Sequence, residues 1–347
     1  MILFLGFYLV VLLFSSANRN IRRTHTNFIL VSFCFIFFCL TFYTPILSEN
    51  HSRDYPNYLN FYINDGLAEI GIERFYIYAK RLLHFCNMSS YAFFYFICFI
   101  SIYFIFNTSW KVVSYPFLAV FLYLSNSYFL DGVTTIRSGV SAALCLTAIY
   151  QLDNDNKKRA LLYCVFALCT HYMGILSFVI FLLKTNTFNK KRWTIILLLS
   201  FIFSYINILN LFKLLLYLPL PSAVSNKLLF YLNLTSAISN NTVNVFSVGN
   251  LIQTIFILVY IYKMDISEKN NIYLKVYILS LFFLCVFSKI DTIPFRIHQY
   301  FSISEIILYP LFIDKFKKRE NKYLIYCFSL LYGLFRIYMH YRSQTLI

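Results

Sequence analysis

The chain has 347 residues, of which 60% are hydrophobic and 21% aromatic, whereas only 13% carry a charge. A soluble domain of this length needs far more polar surface, so the composition excludes that class and predicts an all-α integral membrane protein. The net charge of +16 does not indicate nucleic-acid binding, because the basic residues lie in short clusters between apolar spans, as the positive-inside rule expects.

The apolar spans predict a polytopic protein with about 11–12 membrane segments, several of them close to the shortest length that crosses a bilayer. Residues 1–347 are predicted to form a single membrane domain, because no tandem repeat or linker marks a second one. Arg19, Arg22 and Arg23 follow the first span, which predicts an N-terminus outside the cytoplasm. The predicted spans are 2–17, 28–47, 90–106, 114–130, 136–152, 160–183, 193–209, 248–262, 272–288, 299–313 and 323–339.

Residues 48–89 form a first outer loop that is too long to be a simple connection. Its stretch ERFYIYAKRLLHF (73–85) repeats apolar residues at helical spacing, which predicts a helix lying in the membrane interface. Within the loop, the segment 53–82 carries four carboxylates among five tyrosines: Asp54, Asp65, Glu69 and Glu73. Aromatic faces stack on sugar rings and carboxylates accept hydroxyl protons, so this composition predicts a polyol-binding surface, with a plain solvated loop as the alternative.

Arg137 stands at the mouth of the span 136–152, where a permanent cation needs an explanation. An ionised side chain costs about 2.5–3.5 kcal/mol at the middle of a bilayer and less near its surface, so snorkelling to the headgroups is one explanation. However, Asp131, Gly132 and two threonines precede Arg137, which indicates a packed polar pocket. A helix N-terminus binds anions and a guanidinium matches phosphate geometry, so Arg137 is a candidate diphosphate ligand.

The span 160–183 has a basic cluster on each side, which a single crossing cannot place on one face. The sequence THYMG (170–174) lies in its middle and contains a histidine and a glycine. We therefore predict a re-entrant hairpin whose two half-helices meet at His171, although a buried structural histidine is the alternative for that residue. With this hairpin, residues 210–247 become a second outer loop.

A third position on the predicted outer face is Arg296, which opens a later span just after Pro294. Arginines on this face can hold a diphosphate, a tyrosine-rich acidic loop can hold carbohydrate, and a long apolar domain can hold a lipid tail. Together these features predict a lipid-diphosphate sugar as substrate. Fixed guanidinium groups can hold a diphosphate without a metal ion, so no metal and no other cofactor is predicted.

These motifs resemble, in order and spacing, the EpsG-like group of bacterial Wzy-type polysaccharide polymerases over residues 50–310. Ser138 departs from the family pattern, in which a glutamine is expected after the arginine. The matching motifs are D-x3-Y-x3-Y at Asp54, Tyr58 and Tyr62, Glu-Arg-Phe at 73–75, IRSGVSAA at 136–143, THYMGIL at 170–176, and Arg296 before Tyr300 and Phe301.

The resemblance implies a GT-C-like fold, similar to that of multi-span glycosyltransferases that use lipid-linked sugars. It implies glycosyl transfer at the periplasmic face of the bacterial inner membrane, with undecaprenyl-diphosphate-linked repeat units as donor and acceptor and a chain-length regulator as a further candidate partner. The implied site residues are Arg137 and Arg296 for the diphosphate, Tyr58 and Tyr62 for the sugar, and Asp54, Glu73 or His171 as the catalytic base.

Three alternatives remain open at this point. An O-antigen ligase uses the same donor but passes the chain to the lipid A core, and only the long first outer loop favours the polymerase. A flippase or exporter of lipid-linked oligosaccharide is a second alternative, but the sequence shows no convincing internal repeat of the kind found in many transporters. A membrane scaffold without activity is the third, and it leaves the arginines of the outer face unexplained.

Overall fold

The computed structural model describes residues 10–12, 14–18, 23–69, 71–183, 187–205, 243–263, 269–290 and 293–345, and every regular element within them is helical. This confirms the predicted all-α class for the described part of the chain. Most of the first predicted span (2–17) and most of the second outer loop (210–247) lie outside the described residues.

The chain divides into two compact units, Met1–Leu183 with Ile303–Ile347 and Lys184–Ser302. The first unit contains α1 (Arg23–His51), α2 (Tyr55–Ile63), α3 (Arg74–Phe85), α4 (Ser90–Val112), α5 (Pro116–Asn126), α6 (Ile136–Asp153), α7 (Lys157–Thr170), α12 (Glu305–Asp314) and α13 (Arg319–Thr345). The second contains α8 (Lys190–Phe203), α9 (Val248–Lys263), α10 (Asn271–Val286) and α11 (Ile293–Ser302). The first unit also has 3-10 segments at Gly66–Glu69 and Tyr172–Leu182 and a π-helix at Tyr128–Thr134.

Two helices of the described chain, Asn27–His51 and Ser90–Val112, are long and apolar enough to cross a membrane. Large apolar side chains are exposed along one side of α1, among them Phe35, Phe38 and Phe42. Side chains of this kind are unfavourable in water and favourable against lipid. The helices therefore have the surface of a membrane protein.

The predicted span 299–313 is wrong in one respect, because the structure divides it between two helices. The helix α11 ends at Ser302 and α12 begins at Glu305. Ser302 and Ser304 lie at the division, and the Ser302 hydroxyl donates a hydrogen bond to the carbonyl oxygen of Gln299 at 3.1 Å. Such serines offer the backbone alternatives to helical hydrogen bonds, a competition that the apolar pattern did not reveal.

The helix α6 forms the centre of the first unit and is buried along nearly its whole length. It packs against α4, α7, the π-helix and the second 3-10 segment. Small residues make this close approach possible, and hydroxyl groups bond across the interfaces. Thr147 shares a hydrogen bond with Thr108 of α4 at 3.1 Å, and Ser141 donates to the carbonyl oxygen of Ala167 in α7 at 2.9 Å. The first turn of α6, which carries Arg137, is consequently held in place from several sides.

The helical path breaks at His171, as the THYMG motif predicts. His171 has extended backbone angles (φ −161°, ψ 138°), and its Nδ1 accepts a hydrogen bond from the backbone N–H of Met173. The segments on either side fold back on each other. Gly174 lies against the backbone of Ala167, and the Cys164 thiol lies 3.6 Å from the carbonyl oxygen of Ser177. A side chain at Gly174 would collide with Ala167, so the glycine is required for this close approach.

Candidate active site

Residues 55–69 and 71–85 form a cap, which comprises α2, the 3-10 segment Gly66–Glu69 and α3. The helix α3 confirms the helix predicted for ERFYIYAKRLLHF. Pro56 suits the first turn of α2, and Gly66 and Gly71 supply positive φ angles of 74° and 81° at the turns between the helices. These local preferences fold the first predicted outer loop into an ordered element.

Buried aromatic side chains attach the cap to the helices beneath it. Tyr58, Phe61 and Tyr76 belong to one apolar cluster with Phe93 and Phe94 of α4, and the same cluster includes residues of α6 and α7. Tyr55 stacks on Phe94 with a centroid separation of 4.6 Å. Aromatic contacts of this kind contribute about 0.5–1.5 kcal/mol each beyond the burial of their area. The cap is therefore fixed over the first turn of α6.

The Arg137 guanidinium lies beneath the cap and is paired with Glu73. Its NH1 donates to Oε2 of Glu73 at 2.5 Å, and the two side chains are only 22% and 14% exposed. The guanidinium carbon lies 5.7 Å from the centre of the Tyr58 ring, a cation–π contact. The Tyr76 hydroxyl donates to the carbonyl oxygen of Arg137 at 3.5 Å. We call Arg137, Glu73, Tyr58 and Tyr76 the arginine site.

One donor of Arg137 is left for a further partner. Its Nε is buried and has no hydrogen-bond partner among the described residues. Burial raises the pKa of the Tyr58 hydroxyl, and the nearby guanidinium opposes that increase. Tyr58 is therefore a neutral aromatic neighbour of the cation, and Glu73 supplies the negative charge. Glu73 occupies the NH1 end of the guanidinium, so an anion that binds at that end would have to displace this carboxylate.

The π-helix Tyr128–Thr134 leads directly into the first turn of α6. Hydrogen bonds from α1 hold it, because the Thr44 hydroxyl lies 2.8 Å from the Tyr128 hydroxyl and Ser48 donates to the carbonyl oxygen of Val133 at 2.8 Å. A Cβ atom at Gly139 would lie 1.9 Å from the carbonyl oxygen of Asp131. Glycine is therefore required at this position if the π-helix is to pack against α6, and π-helical turns are frequent at functional sites.

The structure brings together some of the predicted site residues. Asp54 directly precedes α2 and is close enough to Tyr58 to influence the pKa of its hydroxyl. The predicted sugar-binding residues Tyr58 and Tyr62 are both buried, and the Tyr62 hydroxyl donates to the carbonyl oxygen of Met88 at 2.6 Å. His171 follows α7 one helical turn after Ala167, which belongs to the same apolar cluster as Tyr58. His171 thus follows a helix that packs against the cap. Four of the predicted site residues belong to the cap and its arginine site: Tyr58, Tyr62, Glu73 and Arg137.

Arg296 belongs to the second unit and is exposed on α11. Its neighbour Ile297 is buried, as is His298, so the helix turns Arg296 away from its packed side. Arg137 and Arg296 thus belong to different compact units of the chain. Their convergence on one diphosphate is a prediction from the sequence.

Sequence reasoning missed a second charged cluster in the first unit. The Arg336 Nε donates to Oδ1 of Asn126 at 2.8 Å, and the amide of Asn126 donates to Oε2 of Glu305 at 3.3 Å. The Glu305 side chain is fully buried. A polar residue in each of three apolar spans was the available signal, because such residues turn inward and pair in membrane proteins. Among the described residues, no group of three or more His, Cys, Asp or Glu could hold a metal ion.

The fold and the site define a helical membrane protein that holds a paired arginine beneath an aromatic cap. The model of the EpsG family matches residues 30–346, which is nearly the whole chain, and the protein therefore belongs to the EpsG family. Membership indicates a function of the polysaccharide-polymerase type. No curated protein and no solved structure matches the chain.

Proposed function

We propose that this protein joins lipid-linked repeat units into a surface polysaccharide at the periplasmic face of the bacterial inner membrane. The substrates are undecaprenyl-diphosphate-linked oligosaccharides, which serve as donor and acceptor. The observation that carries the proposal is Arg137, a cation held at the mouth of a buried helix by Glu73 and Tyr58. A guanidinium fixed in this way suits an anionic lipid headgroup, and the folded cap above it suits the attached sugar.

The proposed reaction is a displacement at the anomeric carbon of the donor sugar. A hydroxyl group of the acceptor attacks this carbon, the bond from the carbon to the diphosphate oxygen breaks, and the lipid diphosphate leaves with its electron pair. Negative charge grows on the leaving group, so Arg137 stabilises it without needing a metal, and Arg296 is proposed to contribute a second positive charge. The acceptor proton passes to a carboxylate.

Asp54 is the base that we favour among the three candidates. Glu73 lies beneath the cap with only 14% of its side chain exposed, and His171 caps the 3-10 segment through its Nδ1. Asp54 instead lies at the start of α2, is partly exposed and adjoins Tyr58. An ionised carboxylate within hydrogen-bond reach of the acceptor hydroxyl can take its proton as the new bond forms.

A deletion strain distinguishes the proposed polymerase from its alternatives. Loss of a polymerase leaves single repeat units attached to the lipid A core, because repeat units are still made, exported and ligated. A gel of surface polysaccharide is therefore expected to show one short band in place of a ladder. A lipid A core without any repeat unit would contradict the proposal and indicate a ligase or a flippase. An unchanged ladder would exclude the polymerase, the ligase and the flippase.

We further propose that the segment around His171 is a re-entrant hairpin in a GT-C-like membrane domain. The fold-back of Gly174 on Ala167 and the basic residues on both sides support it. Reporter enzymes fused after residue 158 and after residue 188 are expected to read the same, cytoplasmic side of the membrane. A fusion after residue 87 serves as the control and is expected to read periplasmic. Opposite readings at 158 and 188 would show that the segment crosses the membrane once.

A further inference from the structure

The cap contains a second polar site that the proposed reaction does not use. A cleft of about 420 Å³ is lined by Asp65, Gly66, Glu69, Lys80, Arg81 and His84. Its size falls within the range of about 300–1,000 Å³ that is typical of small-molecule sites. The left-handed turn at Gly66 adds no side chain, and a Cβ atom there would meet nothing within 4 Å.

Lys80 is a buried residue of the cleft lining that pairs with both carboxylates of the cleft. Its side chain is only 2% exposed, and its ammonium donates to Oδ1 of Asp65 at 2.5 Å, to the carbonyl oxygen of Asn64 at 2.7 Å and to Oε1 of Glu69 at 3.4 Å. The ammonium lowers the pKa of Asp65, whose side chain is 85% exposed. The carboxylates of Asp65 and Glu69 are thus both paired with Lys80, and that of Asp65 extends into solvent.

The charges in the cleft make the binding of a divalent cation or of an anion unfavourable. A divalent cation would have to lie where the Lys80 ammonium already bridges the two carboxylates, Asp65 and Glu69. An anion would meet those same carboxylates at short range. Arg81 lies 3.9 Å from Glu69 and is largely exposed, so donors and acceptors alternate around the opening. A neutral molecule rich in hydroxyl groups satisfies both kinds of group at once.

His84 completes the lining on the side of the apolar cluster. Its Nε2 is 2.9 Å from the carbonyl oxygen of Tyr62, and its ring packs on the Tyr62 ring at 4.4 Å. The buried Phe61 ring lies close both to Lys80 of the cleft and to the arginine site. The Lys80 ammonium lies 5.2 Å from the centre of that ring, and Phe61 lines the small pocket beside Arg137.

From this arrangement we infer that the cleft binds a neutral saccharide, through hydrogen bonds from sugar hydroxyls to Asp65 and Glu69 and from Arg81 to sugar oxygens. The cleft would be a sugar subsite separate from the reacting bond. In terms of the proposed function, it would bind the oligosaccharide of a repeat unit. The inference rests on the proposed function, because that function identifies the saccharide.

The test uses full-length protein in lipid nanodiscs. The probe is the free oligosaccharide that mild acid releases from the cell's own lipid-linked repeat units, and saturation-transfer NMR measures its binding. The wild type is expected to bind the probe. Glu69→Gln and Arg81→Ala are each expected to weaken binding about tenfold, because each removes a charged hydrogen-bonding partner of the sugar. Arg81 is largely exposed and packs on little, so its substitution leaves the fold intact.

Arg137→Ala is the matched comparison, and it is expected to bind the free oligosaccharide as the wild type does, because the probe has no diphosphate. The inference is overturned if the wild type does not bind, if Glu69→Gln and Arg81→Ala bind as well as the wild type, or if Arg137→Ala alone abolishes binding. If binding follows the expected pattern while the deletion strain keeps its ladder, the polymerase function fails and the sugar site stands.

Discussion

Replacing Arg137 with alanine is expected to reduce polymer formation at least about 100-fold, which is the effect of removing one fixed donor to a developing negative charge. The physical reason is that the departing lipid diphosphate would lose its cationic partner, which lies beside the Tyr58 ring at the start of α6. The rate is measured with purified protein and lipid-linked repeat units, and the product in cells is measured on a gel of surface polysaccharide.

Two variants separate this effect from a loss of folding. Arg137→Lys keeps a positive charge beside Glu73 but loses the planar fork, so an intermediate rate is expected. Arg53→Ala removes an exposed arginine just before the cap and is expected to leave the rate unchanged. A normal ladder in Arg137→Ala cells that contain the protein would reject the role of this residue.

Replacing Gly139 with alanine is the second change with a large expected effect. The new Cβ atom would lie 1.9 Å from the carbonyl oxygen of Asp131, and backbone of the π-helix cannot move aside as a flexible side chain can. Forcing a methyl group into packed structure costs about 1–3 kcal/mol and sometimes more. We expect a lower midpoint of thermal unfolding and loss of polymer, because the π-helix and the turn that carries Arg137 would separate.

Gly132→Ala is the matched control for this effect. Its Cβ atom would meet only side-chain atoms, of Tyr128 at 3.0 Å and of Tyr123 at 3.2 Å. Rings can shift by a few tenths of an ångström, so a smaller decrease in the thermal midpoint is expected. Equal decreases for Gly132→Ala and Gly139→Ala, measured on purified protein in detergent, would contradict the close packing of α6 on the π-helix.

Features that depend on local sequence were predictable from it. The helix over ERFYIYAKRLLHF and the break at His171 follow from apolar spacing and from a glycine beside a polar residue. The apolar spans likewise located the long helices. These features are set by interactions among residues a few positions apart, which the periodicity of a single sequence records.

Pairings between distant residues could not be predicted in this way. The sequence predicted that Arg137 binds an anionic ligand, but Arg137 is paired with Glu73, which lies 64 positions earlier in the chain. The amphipathic pattern of α3 also gave no reason to bury Lys80, which is buried because its ammonium has three oxygen partners. Such pairs depend on how helices pack, and opposite charges in one sequence allow many combinations.

The affinity of the protein for undecaprenyl diphosphate shows whether Arg137 binds the lipid diphosphate. Purified protein in nanodiscs is compared as wild type, Arg137→Ala and Glu73→Gln. We expect binding to be at least about tenfold weaker in Arg137→Ala, because a charged hydrogen-bond donor is lost. We expect tighter binding in Glu73→Gln, because the competing carboxylate is gone. Equal affinity of Arg137→Ala and the wild type, or weaker binding by Glu73→Gln, would contradict the claim that Arg137 exchanges Glu73 for the diphosphate.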